Sequence, residues 1–213
     1  MRSVIIENVE IPLFEGNVGV NLSGGTDSSL LLYILLSNKQ ETLEVFTVAS
    51  DFKGRVSGKI TANVIDKCIE LTGNNKVNHH VVYVDVQTNE KLFKLSLEML
   101  ENKKITKLYE GITSNPPKDI ADNFLTPIWN TEQDKRDPSI IKPTIYDNFC
   151  FPFFNIDKMK IAEMYQSLNL TETLFPLTRS CEPDVRNPPS SFLGHCDNCW
   201  WCKERFWAFK RLT

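Results

Sequence analysis

Two groups of residues in this sequence have the types and spacing to do chemistry. The first is Ser23-Gly24-Gly25-Thr26-Asp27-Ser28, which follows the apolar run at residues 18–22 and precedes a helical pattern. Glycine has no Cβ, so backbone N–H groups in such a turn can approach a ligand closely. The helix that follows offers its unsatisfied N-terminal N–H groups and the positive end of its dipole to an anion, and the hydroxyls of Ser23 and Ser28 add donors. The string therefore reads as a phosphate cradle. It is not the P-loop pattern, because the G-x-x-x-x-G-K-[ST] spacing and its lysine are absent, and it is not the G-x-G-x-x-G dinucleotide fingerprint. Asp27 either caps the helix or meets phosphate through a bridging cation.

The second group is Cys181 with Cys196, Cys199 and Cys202. Two consecutive C-x-x-C spacings let short loops turn three sulfurs onto one metal, and Cys181 can supply a fourth. Four thiolates match a closed tetrahedral zinc site, read here as structural. An iron–sulfur cluster uses the same ligands, a C-x-x-C pair can be redox active, and His195 could replace one thiol. Cys68 and Cys150 stand alone and read as small core residues.

The elements that must position these groups follow from periodicity. Apolar runs at 18–22, 43–49, 81–86 and 107–112 alternate with helical patterns at 27–36, 56–71 and 91–100. A fifth strand is expected near 145–151, then a helix capped by Asp157 with Ile161, Met164, Tyr165 and Leu168 on one stripe, and a last helix at 203–212. Such βαβα alternation implies an α/β fold with a five-stranded parallel sheet and helices on both faces. Val48 and Ala49 end the second strand and Gly111 ends the fourth, where parallel sheets present ligands, so adenosine is expected there. The whole chain, 1–213, reads as a single nucleotide-binding domain, with 177–213 as a metal-binding segment and helix within it.

Composition narrows the function classes. With 24 Lys+Arg against 27 Asp+Glu, the formal charge is −3, which gives no global electrostatic case for nucleic acid. The apolar run at 30–36 falls far short of the roughly 20 residues that span a bilayer, and no signal-peptide pattern opens the chain, so a cytoplasmic protein is expected.

The string Ser23 to Ser28 resembles the SGGxDS loop of the PP-loop ATP pyrophosphatases, which include asparagine, GMP and NAD synthetases and tRNA thiolases. The resemblance implies cleavage of ATP between its α and β phosphates, with AMP passing to a substrate oxygen. Thr178-Arg-Ser-Cys181, Cys196-x-x-Cys199-x-x-Cys202 and Lys203-Glu-Arg205-Phe206 are similar to the C-terminal signature of the 7-cyano-7-deazaguanine synthases, as is Pro152-Phe-Phe-Asn-Ile-Asp-Lys158. That family binds zinc through four cysteines, and the resemblance implies a homodimer. The implied reaction converts a small-molecule carboxylate, 7-carboxy-7-deazaguanine, to a nitrile with ATP and ammonia. Ser23, Gly24, Gly25, Thr26 and Ser28 would hold phosphates, with Asp27 bound through magnesium and Lys158 reaching the departing pyrophosphate.

Residue 2 is Arg, so no N-terminal cysteine nucleophile is expected, and ammonia would come from solution. The stretches after the second and fourth strands depart from the family pattern, so the ATP half is matched better than the substrate half. Arg179, Arg186, Trp200, Trp201 and Arg205 are planar groups suited to a purine-like carboxylate, while tryptophans beside a zinc loop are at least as often its packing. Two other readings compete: an enzyme of the same kind acting on a tRNA base, and a noncatalytic zinc-stabilised binding protein.

Overall fold

Val18, Val20 and Leu22 are buried because the run they belong to lies in the middle of the sheet. The computed structural model describes residues 2–38, 41–50, 57–84, 89–124, 141–181 and 194–213. Strand β3 (Val18–Asn21) runs parallel to β4 (Leu43–Ser50) on one side and β6 (Lys107–Glu110) on the other, with Val20 opposite both Val45 and Tyr109. Outside these lie β5 (Val77–Val84) next to β4, and β8 (Phe149–Phe151) next to β6, both parallel. The expected five parallel strands are present. A sixth, β7 (Thr144–Tyr146), pairs antiparallel with β8 at the edge and gives the order β5-β4-β3-β6-β8-β7.

That edge corrects the sequence reading, which took 145–151 as one strand. The chain reverses after Tyr146, with Asp147 at φ 47°. Asp tolerates the left-handed region because its short side chain bonds locally. The strand expected at 81–86 starts earlier, at Val77, and takes in His79 and His80. His79 bonds the Thr47 hydroxyl at 2.9 Å, and His80 meets Glu44 at 2.6 Å. A separate hairpin of β1 (Arg2–Ile6) and β2 (Val9–Leu13) drew no prediction. Glu7 (φ 47°) and Asn8 (φ 65°) both take positive φ, as a two-residue type I′ turn requires. Val9, Ile11 and Leu13 point into the core, and the Tyr109 hydroxyl donates to the Pro12 carbonyl at 2.7 Å.

Helix α1 (Thr26–Asn38) is buried almost all round, with Leu30, Leu31, Leu32, Ile34, Leu35 and Leu36 inside. An element apolar on every side has to lie within the core, and α1 packs between the sheet, α2 (Ser57–Thr72) and α5 (Lys158–Ser167). On the opposite face α3 (Asn89–Glu101) sets Leu95, Met99 and Leu100 against Phe46, Ile105 and Leu108. Asp157 caps α5 as expected, accepting from the Met159 and Lys160 N–H groups at 2.9 and 3.2 Å. Cys68 and Cys150 are fully buried, and burial pushes each thiol up to about 12. No helix among the described residues is long and apolar enough to cross a membrane.

The last helix, α6 (Trp200–Phe209), begins three residues before the expected 203–212 span and packs on α5. Its Arg205 has no exposure at all. Nε donates to the Leu212 carbonyl (2.7 Å), Nη1 to the Thr178 hydroxyl (2.8 Å) and Nη2 to the Phe175 carbonyl (3.0 Å), with the guanidinium 3.8 Å above the Phe175 ring. Arg205 is thus an internal tie rather than the substrate ligand the sequence suggested. Trp200 and Trp201 likewise pack against a short helix, α4 (Lys118–Ala121), and Phe124, with the Phe124 and Trp200 rings 5.0 Å apart. Arg186 lies outside the described residues.

Candidate phosphate site and cysteine cluster

The predicted cradle sits where β3 hands over to α1. Gly24 has φ 82°, a conformation glycine adopts without strain, and a Cβ there would also lie 2.8 Å from Ile60 Cγ2. Ser23 and Ser28 bind each other across the turn, their hydroxyls 3.1 Å apart, while the Ser23 N–H donates to Ser28 Oγ at 3.2 Å. The loop is therefore folded on itself, and the first N–H groups of α1 have no carbonyl within their own helix. Buried Thr26 starts α1, and its carbonyl accepts from the Tyr165 hydroxyl of α5 at 2.9 Å.

Asp27 does not cap α1. Its Oδ1 accepts from the Thr26 hydroxyl (3.0 Å), and its Oδ2 accepts from the Thr113 hydroxyl (3.4 Å) and from Lys158 Nζ (2.5 Å). Lys158 in turn has a second carboxylate, Glu204 Oε2 of α6, at 3.6 Å. The three side chains are 14%, 5% and 7% exposed, so this is a buried ion cluster. Burial alone would lower the Lys158 pKa, yet the carboxylates of Asp27 and Glu204 outweigh it and hold the ammonium above its ordinary value. Burial raises Glu204, against the pull of Lys158. The structure thus brings together Asp27 and Lys158, 131 positions apart in sequence, at the mouth of the loop.

Val48 and Ala49 lie just beyond the level at which β3 ends, since Asn21 is opposite Phe46. Ala49 is buried and faces Gly58 at the start of α2, while Val48 is half-buried. Gly111 directly follows β6. A Cβ there would fall 2.8 Å from both Cα and N of Ser28 and 3.0 Å from the Asp27 carbonyl carbon. A side chain there would meet the first turn of α1, so glycine lets strand and helix approach closely. Gly111→Ala should therefore push the α1 terminus away, costing about 1–3 kcal/mol. Thermal unfolding checks this, with a fall of roughly 2–4 °C expected per kcal/mol.

Four groups beside the loop escaped the sequence reading or were read differently. Glu110 at the end of β6 takes a hydrogen bond from the Asn21 amide, and burial pushes its carboxyl up to about 7 despite that bond. A charge ending an apolar strand was the available signal. The Arg179 N–H donates to the Gly24 carbonyl at 2.7 Å, laying residues 178–180 along the loop. Its Nε and Nη1 atoms and Ser180 Oγ are buried without hydrogen-bond partners among the described residues. Glu204, on a Trp- and Phe-rich helix, gave no sequence signal, because nothing local shows which way a helical glutamate points.

The chain then enters the cysteine group. The sulfurs of Cys181, Cys196, Cys199 and Cys202 all lie within 4.8 Å of one another, none in a disulfide. Backbone N–H groups of Cys196 and Cys199 donate to the sulfurs of Cys181 and Cys196, both at 3.3 Å. Around one tetrahedral ion with bonds of about 2.3 Å, sulfurs stand about 3.8 Å apart, and the Cys196 and Cys202 sulfurs are 3.9 Å apart. Sulfurs at the corners of a cubane cluster stand farther apart, so the spacing suits a single ion. His195 Nδ1 is 3.8 Å from the Cys202 sulfur and lies beside the four thiols.

The chain is thus an α/β fold with a mostly parallel sheet, and its SGGTDS turn opens the helix that follows β3. Residues 5–109, just under half of the chain, match the family model described as asparagine synthase. The match covers the strands and helices from the first hairpin to β6. Comparison with curated protein sequences gave no significant match. Among solved structures, the chain is similar to the U34-tRNA thiolase NcsA from Methanococcus maripaludis with its [4Fe-4S] cluster. The two share 17% identity with a TM-score of 0.46, over 72% of this chain and 57% of the thiolase. It is also similar to NMN synthetase from Francisella tularensis, at 11% identity and a TM-score of 0.46, over 92% of this chain and 78% of that one.

Proposed function

We propose that this protein is an ATP pyrophosphatase that adenylates a small carboxylate and passes the activated acyl group to ammonia. The observation that carries the reading is the convergence of an ammonium, a carboxylate and a helix N-terminus at the SGGTDS turn, through the 2.5 Å Lys158–Asp27 bond. The loop N–H groups and the hydroxyls of Ser23 and Ser28 would hold the β and γ phosphates, joined by the Arg179 and Ser180 donors that have no partner among the described residues. Asp27 is a hard oxygen ligand and would hold magnesium, whose contribution when bound with ATP is to neutralise phosphate charge. Lys158 would meet the charge that develops on the leaving pyrophosphate. Cys181, Cys196, Cys199 and Cys202 would hold one structural zinc.

The chemistry follows from the poor electrophilicity of a carboxylate. Its oxygen attacks the α phosphorus, pyrophosphate leaves, and ammonia then displaces AMP to give an amide. Adenylating the amide oxygen with a second ATP and losing AMP and a proton gives a nitrile. The resemblance of the C-terminal signature names 7-carboxy-7-deazaguanine as the substrate, with 7-cyano-7-deazaguanine as product.

The test is to incubate the protein with ATP, magnesium, ammonium and this carboxylate and to follow pyrophosphate, AMP and nitrile by mass spectrometry. All three are expected. AMP and pyrophosphate without nitrile would keep adenylation and remove the substrate, whereas no pyrophosphate with any carboxylate would remove the reading itself.

A further inference from the structure

Lys158 stands between two carboxylates that differ in distance and origin. Asp27 belongs to the phosphate loop and takes a hydrogen bond from the ammonium at 2.5 Å, while Glu204 arrives from α6 and lies at 3.6 Å. Lysine, with a single charge, leaves the trio one negative charge in excess in a buried place, and the neighbouring buried Arg205 guanidinium is the positive charge set against it. Two carboxylates around one lysine are more than an ion pair needs. They are, however, what a lysine needs if one of its partners is periodically taken by something else.

We infer that Glu204 is a positioning residue, a second seat for Lys158 that is used when a divalent cation takes Asp27. The inference rests on the ATP site proposed above. A cation bound to the Asp27 carboxylate would repel an ammonium 2.5 Å away. With no alternative, that ammonium would either block the cation or leave the site. With Glu204 at 3.6 Å, a shift of about 1 Å gives it a charge-assisted hydrogen bond of about 2.7–2.9 Å. Lys158 then stays charged, buried and beside the phosphates while Asp27 is freed. Glu204 sits two residues after Cys202, so the helix that carries the cysteine group also sets the resting distance of this second seat.

The test is manganese binding, read by electron paramagnetic resonance, in the wild type and in Glu204→Gln with a nonhydrolysable ATP analogue present. The variant should bind manganese about tenfold more weakly, because Asp27 is then the only carboxylate partner of Lys158 among the described residues. In turnover, its half-saturating magnesium concentration should rise by a similar factor, with most of the plateau rate recovered at high magnesium. A merely structural role would lower the plateau and the melting temperature and leave half-saturation unmoved, which would overturn the inference. Wild-type binding with no weakening in the variant would overturn it alone. No analogue-dependent binding in the wild type would overturn the ATP reading and this inference with it. Should Glu204→Gln not fold, the Lys158 ammonium nitrogen resonance of the wild type answers the question. Its persistence in slow exchange after magnesium and analogue are added supports the second seat, and its loss to fast exchange with water overturns it.

Discussion

Lys158→Met is expected to destabilise the protein by about 3–5 kcal/mol and to cut ATP-dependent pyrophosphate release about a thousandfold. The first figure follows from what remains once the ammonium is gone. Asp27 and Glu204, 2.5 and 3.6 Å from the lost nitrogen, would share a pocket in which their side chains are 14% and 7% exposed, with no cation between them. At least one carboxyl would have to take a proton or the helices carrying the two would have to part. The second figure is that of a charged group aimed at the place where negative charge develops, and methionine has the length but not the charge.

The two losses separate in the double variant Lys158→Met/Glu204→Gln. Removing one of the orphaned carboxylates should return a large part of the stability, seen in thermal unfolding, while pyrophosphate release stays low. A single variant as stable as the wild type would mean the trio is not electrostatically coupled. A double variant with restored turnover would take Lys158 out of the chemistry.

How much of this was legible beforehand depended on whether the information was local. The SGGTDS turn, the strand before it and the helix after it are written in consecutive residues, and residues 18–22 and 27–36 fall almost where β3 and α1 lie. The Asp157 cap was legible for the same reason. The β1–β2 hairpin was also local, in the alternation of Val9, Ile11 and Leu13, and went unread. The run at 145–151 was misread because Asp147 and Asn148 interrupt it with no glycine or proline to mark the turn.

Residues whose meaning is set by a distant partner were not legible. Lys158 was reachable only through resemblance, Glu204 not at all, and the close approach of Gly111 to the backbone of Asp27 and Ser28 had no local sign. Arg205 shows the same limit from the other side. Its type suits an anionic ligand, yet three bonds to Thr178, Phe175 and Leu212 use it inside the fold.

The consequence reaches furthest at the cysteine group. The purified protein should carry close to one zinc per chain, and removing it with a chelator should lower both the melting temperature and the affinity for ATP. A metal that binds only the folded state at about a thousand times its dissociation constant contributes about 4.1 kcal/mol, and for a chain of this size that is roughly 8–16 °C. The effect on ATP would be indirect. Helix α6 starts directly after Cys199 and contains Cys202, Glu204 and Arg205. Freed from the metal, it can turn or fray, which loosens the ties of Arg205 to residues 175 and 178, and with them the 178–180 segment bonded to Gly24. The same motion withdraws Glu204 from Lys158. Cys199→Ser should reproduce both losses without a chelator, and thiol titration of the chelated protein should reveal the four cysteines newly reactive. If the metal-free protein melts at the same temperature but still loses ATP affinity, the group acts on the loop without holding the fold. If it keeps both, α6 is held by Arg205 and its apolar contacts alone, and the link between cysteine group and phosphate loop does not exist.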